Sequence, residues 1–72
     1  MSKTRRESWV SISVRRLRAA KRWSRRELAE RSGVSANTIA NIEHGFAMPA
    51  VDTLEGVLHE LGCELKIEEK LL

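Results

Sequence analysis

The stretch from Ser24 to Gly45, SRRELAERSGVSANTIANIEHG, constrains this chain more than any other. Ser24 is a good helix N-cap, and Glu27 three residues later completes a capping box. Leu28 and Ala29 follow as apolar positions on one face. Gly33 then interrupts, at a place where a left-handed turn would strain any residue carrying a Cβ. Val34 is expected to tuck inward. Ser35 caps a second helix with Ile39 and Ile42 at i, i+3 spacing, and Gly45 ends it.

The spacing says more than two helices. A small residue at Ala29 lets the second helix cross closely over the first, Gly33 permits a short turn, and Ile39 and Ile42 anchor the second helix from behind. Its outward face is then Ala36, Asn37, Thr38, Ala40 and Asn41, all small or amide-bearing. This is the arrangement of a helix-turn-helix, whose second helix lies in the DNA major groove. A plain helical hairpin in an unrelated bundle shares some of these positions; their combination favours the helix-turn-helix.

Charge points the same way. The net charge of +3 is modest, but residues 1–31 hold eleven of the thirteen Lys and Arg against three acids, Glu7, Glu27 and Glu30. Residues 32–72 hold two lysines and seven acids, so the halves carry +8 and −5. Such asymmetry suits a polyanion on one side, although a solvated helix surface can also be basic. The 72 residues suffice for one small domain, which buries only about 60% of its unfolded surface, so pairing with a second chain would help it stand. No run approaches the ~20 apolar residues of a membrane span. The basic N-terminus lacks an apolar signal-peptide core, which predicts a cytoplasmic location. Cys63, the one cysteine, cannot form an internal disulfide, and no Cys/His cluster has metal-ligand spacing.

In chain order, residues 1–8 read as a flexible basic arm with Lys3, Arg5 and Arg6, either lying along phosphates or in a minor groove or simply a disordered tail. A first helix runs from about Trp9 or Ser11 to Lys21, with an apolar stripe of Val10, Val14, Leu17 and Ala20 or Lys21. Trp9 and Trp23 are read as core or edge-of-core residues. Arg15, Arg16, Arg22, Arg25 and Arg26 gather at the junction of the first two helices. After Gly45, Phe46 and Met48 should fold back onto the core. Pro49 precedes a helix over about 50–61 with Val51, Leu54, Val57, Leu58 and Leu61 as its apolar face, stopped by Gly62. Residues 9–62 form the DNA-binding domain in this reading. The tail, 63–72, alternates Cys63, Leu65 and Ile67 with Glu64, Lys66 and Glu68, a strand pattern. A lone strand has no partner within the chain, so it would pair with its copy across a dimer; a fifth helix is the competing reading.

With these residues in view, Leu17 to Gly62 resembles the Xre (Cro/CI-type) helix-turn-helix family. The resemblance is carried by Leu17-Arg18, S-x-x-E-L-A at 24–29, G-V-S at 33–35, T-I-x-x-I-E-x-G at 38–45, Pro49 and Thr53-Leu54. It implies a mainly α, compact, four- to five-helix lambda-repressor-like domain that binds DNA as a homodimer. The tail LGCELKIEE is similar to the short strand of HipB-type antitoxins, which implies pairing through Cys63, Leu65 and Ile67. Carried over position by position, Ala36, Asn37, Thr38 and Asn41 match base-contacting positions. Asn37 and Asn41 suit the bidentate pairing of an amide with adenine. Ser24, Arg25, Arg26, Ser35 and His44, with Arg5 and Arg6 of the arm, are assigned to the DNA backbone. Arg25 stands where the family often has glutamine; it is assigned to phosphate, with guanine as the alternative, and the departure leaves the sequence preference open. Arg18 and Glu43 match a family pair that forms a largely buried salt bridge between the first and third helices.

No catalytic constellation is visible: His44 and His59 lie on separate elements without a nucleophile, metal set or phosphate loop. The sequence therefore predicts no enzyme, no cofactor and no metal, but a regulator on double-stranded DNA, with the recognition helix at about 35–43. Three roles fit such a chain: a repressor acting alone, an antitoxin that binds a toxin protein and represses its own operon, and a protein-interaction module that kept the fold without DNA binding.

Overall fold

The computed structural model describes residues 9–46 and 49–63. Within them lie four helices, α1 (Trp9–Ala20), α2 (Arg25–Ser32), α3 (Ala36–His44) and α4 (Val51–Glu60). The boundaries follow from local chemistry. Ser24 and Ser35 are both extended, and their hydroxyls accept the Glu27 and Thr38 backbone N–H groups at 3.0 Å. Each thereby satisfies one of the unpaired donors at a helix start. Gly33 and Gly45 end α2 and α3 in the left-handed conformation, at φ +75° and +71°. The Glu27 carboxylate is turned toward the Arg31 Nε, 2.7 Å away and one turn on, so the capping box is seen here through its serine half.

A Cβ at Gly33 would meet nothing within 4 Å, so Gly33→Ala isolates the backbone cost of the turn. We expect a loss of about 1 kcal/mol, the left-handed penalty less the gain from a stiffer unfolded chain. Thermal unfolding should show Tm lower by about 4–8 °C; an unchanged Tm would mean the turn relaxes to another conformation.

Helix α3 packs against α1 and α2, and α4 packs against α2. Val10 and Val14 of α1, Leu28 and Ala29 of α2, Ile39 and Ile42 of α3, and Leu54, Val57, Leu58 and Leu61 form one buried cluster, with Leu17, Trp23, Val34 and Cys63 partly buried against it. The apolar stripes thus converge between the helices, and α3 is held by its Ile39–Ile42 face.

Four expectations about side chains need correction. Trp9 is 61% exposed; as the first residue of α1 it is rotated by about 100° from Val10, off the stripe. Ala20 and Lys21 are exposed too, because α1 closes at Ala20 and Arg22 turns the chain away with φ +60°. Val51 is 52% exposed, one turn ahead of the stripe that begins at Leu54. Phe46 is 56% exposed and lies tilted against His44, ring centroids 5.4 Å apart and planes at 45°, rather than folding into the core. Met48 lies outside the described residues, as do Arg5, Arg6, Leu65 and Ile67. Cys63 is partly buried, and its N–H continues the end of α4 by donating to the Leu58 carbonyl at 2.8 Å. No helix among the described residues is long and apolar enough to cross a membrane.

Candidate functional site

A helix that reads another molecule must be fixed on one face and free on the other. Helix α3 meets both conditions. Ile39, Ile42 and Glu43 are fully or almost fully buried, while Ala36 and Asn37 are exposed and Thr38, Ala40 and Asn41 are half-buried. Ser35, itself exposed, sets the start of that face. Its hydroxyl lies 2.9 Å from the Thr38 hydroxyl, which ties the Thr38 side chain to the cap. An open hollow of about 200 Å³ lined by Thr38, Asn41, Ile42 and Pro49 lies beside this face.

The fixed face is secured by a polar hub as well as by packing. Glu43 is fully buried, and its two carboxylate oxygens accept three hydrogen bonds. Arg18 of α1 donates through Nε at 2.6 Å and Nη2 at 3.0 Å, the side-on fork that makes arginine–carboxylate pairs strong. Arg25 of α2 adds its Nε at 3.0 Å to the second oxygen. A single carboxylate therefore joins three helices. Burial pushes the Glu43 carboxyl up, but the hydrogen bonds and charges of Arg18 and Arg25 outweigh it and hold its pKa below the ordinary 4.5. Arg18, in turn, donates Nη1 to the Trp23 carbonyl at 2.8 Å, bracing the turn into α2.

The end of α3 is held from α1. The last carbonyls of a helix have no partner inside it, and here Ser11 Oγ donates to the Ile42 carbonyl at 2.8 Å while Arg15 Nη1 donates to that of Glu43 at 2.9 Å. The Arg15 cation also suits the negative end of the α3 dipole. Sequence reasoning missed Ser11 because it is polar, although its place beside Val10 and one turn before Val14 puts it on the inward stripe. It also grouped Arg15 with surface cations, whereas the fold uses it inside the assembly.

The basic half of the chain therefore divides. Arg15, Arg18 and Arg25 bind α3; Arg16, Lys21, Arg22 and Arg26 are exposed. Arg26 lies 3.7 Å from Glu30, an exposed pair worth little. Arg25 is 39% exposed and contacts Glu43 through Nε alone, which leaves the outer edge of its guanidinium available. His44 is half-buried against Phe46 at the end of α3. The structure thus brings Ser35, Ala36, Asn37, Thr38 and Asn41 onto one helix, with Ser24, Arg25 and Arg26 at the start of the neighbouring one. No group of three His, Cys, Asp or Glu side chains that could hold a metal occurs among the described residues.

The helix-turn-helix (HTH_3) family profile matches residues 14–67. Two solved structures of the clp gene regulator ClgR from Corynebacterium glutamicum are similar over the fold, each 34% identical. One match covers 76% of this chain and 58% of that one with a TM-score of 0.71; the other covers 78% and 72% with a TM-score of 0.72. No curated protein matches this sequence.

Proposed function

Because this chain belongs to the helix-turn-helix family of Xre (Cro/CI) type, whose profile spans residues 14–67, we propose that it is a DNA-binding transcriptional regulator that reads an inverted-repeat operator as a homodimer. The observation that carries this reading is the division of α3 into a buried, hydrogen-bonded face and an exposed face bearing Asn37. Ala36, Asn37, Thr38 and Asn41 meet base edges in the major groove. The two amides take adenine N6 and N7, and apolar contact with a thymine methyl falls to Ala36 and Thr38. Ser24, Arg25, Arg26, Ser35 and His44, joined by Arg5 and Arg6, contact the backbone and set the register. The outer guanidinium edge of Arg25 meets a phosphate while its Nε stays on Glu43. Half-site centres lie about one helical turn, ~34 Å, apart. Repression follows if the operator overlaps a promoter. The 34% identity to a regulator of clp genes favours a regulator over an antitoxin or a bare interaction module.

The test is selection of bound fragments from the source genome at near-physiological salt, with Asn37→Ala in parallel. Enrichment of a twofold-symmetric site that the variant loses supports the reading, and the genes beside it identify the regulated operon. If nothing is enriched, the fold serves to bind protein, and a tightly copurifying toxin would identify an antitoxin.

Dimerisation in this proposal runs through Cys63, Leu65 and Ile67. Removal of residues 63–72 should give a monomer in sedimentation equilibrium; a persistent dimer would transfer the interface to the helices.

A further inference from the structure

Arg22 is the one residue other than glycine that adopts a left-handed backbone among the described residues, at φ +60°. That conformation ends α1. The Arg22 N–H donates to the Ala19 carbonyl at 2.9 Å and the Trp23 N–H to that of Arg18 at 3.2 Å, after which the chain swings to the Ser24 cap. Gly33 and Gly45 make the equivalent turns after α2 and α3 without a Cβ to strain. The turn at 22 thus favours glycine, and the arginine there opposes the stability of the fold.

Its side chain makes no compensating contact among the described residues. Arg22 is exposed and makes no ion pair among the described residues. Its neighbours are otherwise engaged: Lys21 Nζ lies 5.2 Å from the Trp23 ring centre, and Arg25 and Arg26 face Glu43 and Glu30. Position 22 also stands two residues before the cap of α2, the helix that crosses the duplex backbone in this arrangement, and three before Arg25, which touches α3.

We propose that Arg22 is a DNA-backbone site, a guanidinium that takes a phosphate through its fork of donors, a contact that offsets the backbone strain of its position. This rests on the DNA-binding reading above. The phosphate belongs to the strand flanking the groove that α3 enters, so the contact strengthens binding without reading sequence.

Three proteins decide it: the full wild-type chain, Arg22→Gly and Arg22→Lys, each measured for Tm and for affinity over a salt series on the selected operator and on a random duplex. Arg22→Gly should raise Tm by about 2–5 °C, since relief of the left-handed strain exceeds the added unfolded-state freedom. It should also weaken binding roughly tenfold at 0.1 M salt on both duplexes, with the salt slope reduced by about 0.9 per Arg22 engaged. Arg22→Lys should keep most of the slope and gain no stability. Wild-type affinity and slope in Arg22→Gly would overturn this proposal and leave the DNA reading intact. A fall in Tm would overturn it too, by making the arginine a structural residue. A wild-type chain that binds neither duplex removes both readings together.

Discussion

Glu43→Ala should unfold this domain at a markedly lower temperature than any substitution on the exposed face of α3. The carboxylate is fully buried and takes three hydrogen bonds from Arg18 and Arg25. Its removal leaves Arg18, only 17% exposed, with a buried charge and no counterion. Breaking such a pair from one side costs about 3–5 kcal/mol, a large part of the roughly 5–15 kcal/mol that holds a domain together. At about 4–8 °C per kcal/mol, Tm should fall by at least about 12 °C in a calorimetric scan. A change below about 2 °C would show that Glu43 does not join the helices.

Acid should act on the same group. The Glu43 pKa is lower in the folded chain than its ordinary 4.5, so its stabilising contribution is fully present above that value. It fades as pH falls below 4.5 and through the folded pKa. Glu43→Gln keeps the size and an acceptor but cannot titrate, so its stability should show a shallower acid limb than the wild type. An identical acid limb in the two proteins would assign acid unfolding to other carboxylates.

Asn37→Ala should do the opposite, sparing the fold and removing recognition. Asn37 is exposed on α3, where substitutions usually change stability by no more than about 0.5 kcal/mol. If its amide holds an adenine bidentately, its loss costs about 1–3 kcal/mol of discrimination, or about 5- to 150-fold per half-site. A dimer on a symmetric operator meets that penalty twice. Titration of the selected operator against one with the contacted base pair changed should show the wild type discriminating and the variant indifferent. Equal affinity of both proteins for the selected operator would remove Asn37 from the reading surface.

Much of this architecture was legible because its signals are local. Ser24, Gly33, Ser35 and Gly45 act on backbone groups a few residues away, so their chemistry can be read from adjacent letters. Ile39 and Ile42 are periodic and found the core. What escaped depends on how helices cross. The Arg25–Glu43 contact spans eighteen positions and Ser11–Ile42 thirty-one; both are set by the angle of α3 against its neighbours, to which periodicity is blind. The same holds for Arg15, a surface cation by composition and a helix-end partner by geometry. Val51 and Trp9 failed for a simpler reason: a stripe read along a helix does not say where the neighbouring helix stops covering it.

The hub at Glu43 also shapes how this protein could change over generations. Helix α3 carries its anchoring residues, Ile39, Ile42 and Glu43, and its outward residues, Ala36, Asn37 and Asn41, on separate faces. Substitutions among the outward residues leave the anchor untouched, so on the DNA-binding reading proposed above a lineage can acquire a new partner sequence without passing through an unstable intermediate. The anchor has no such freedom, since replacing Glu43 alone strands the mostly buried Arg18 and frees Arg25 from α3. Altered specificity is one step away, while an altered scaffold needs several changes at once.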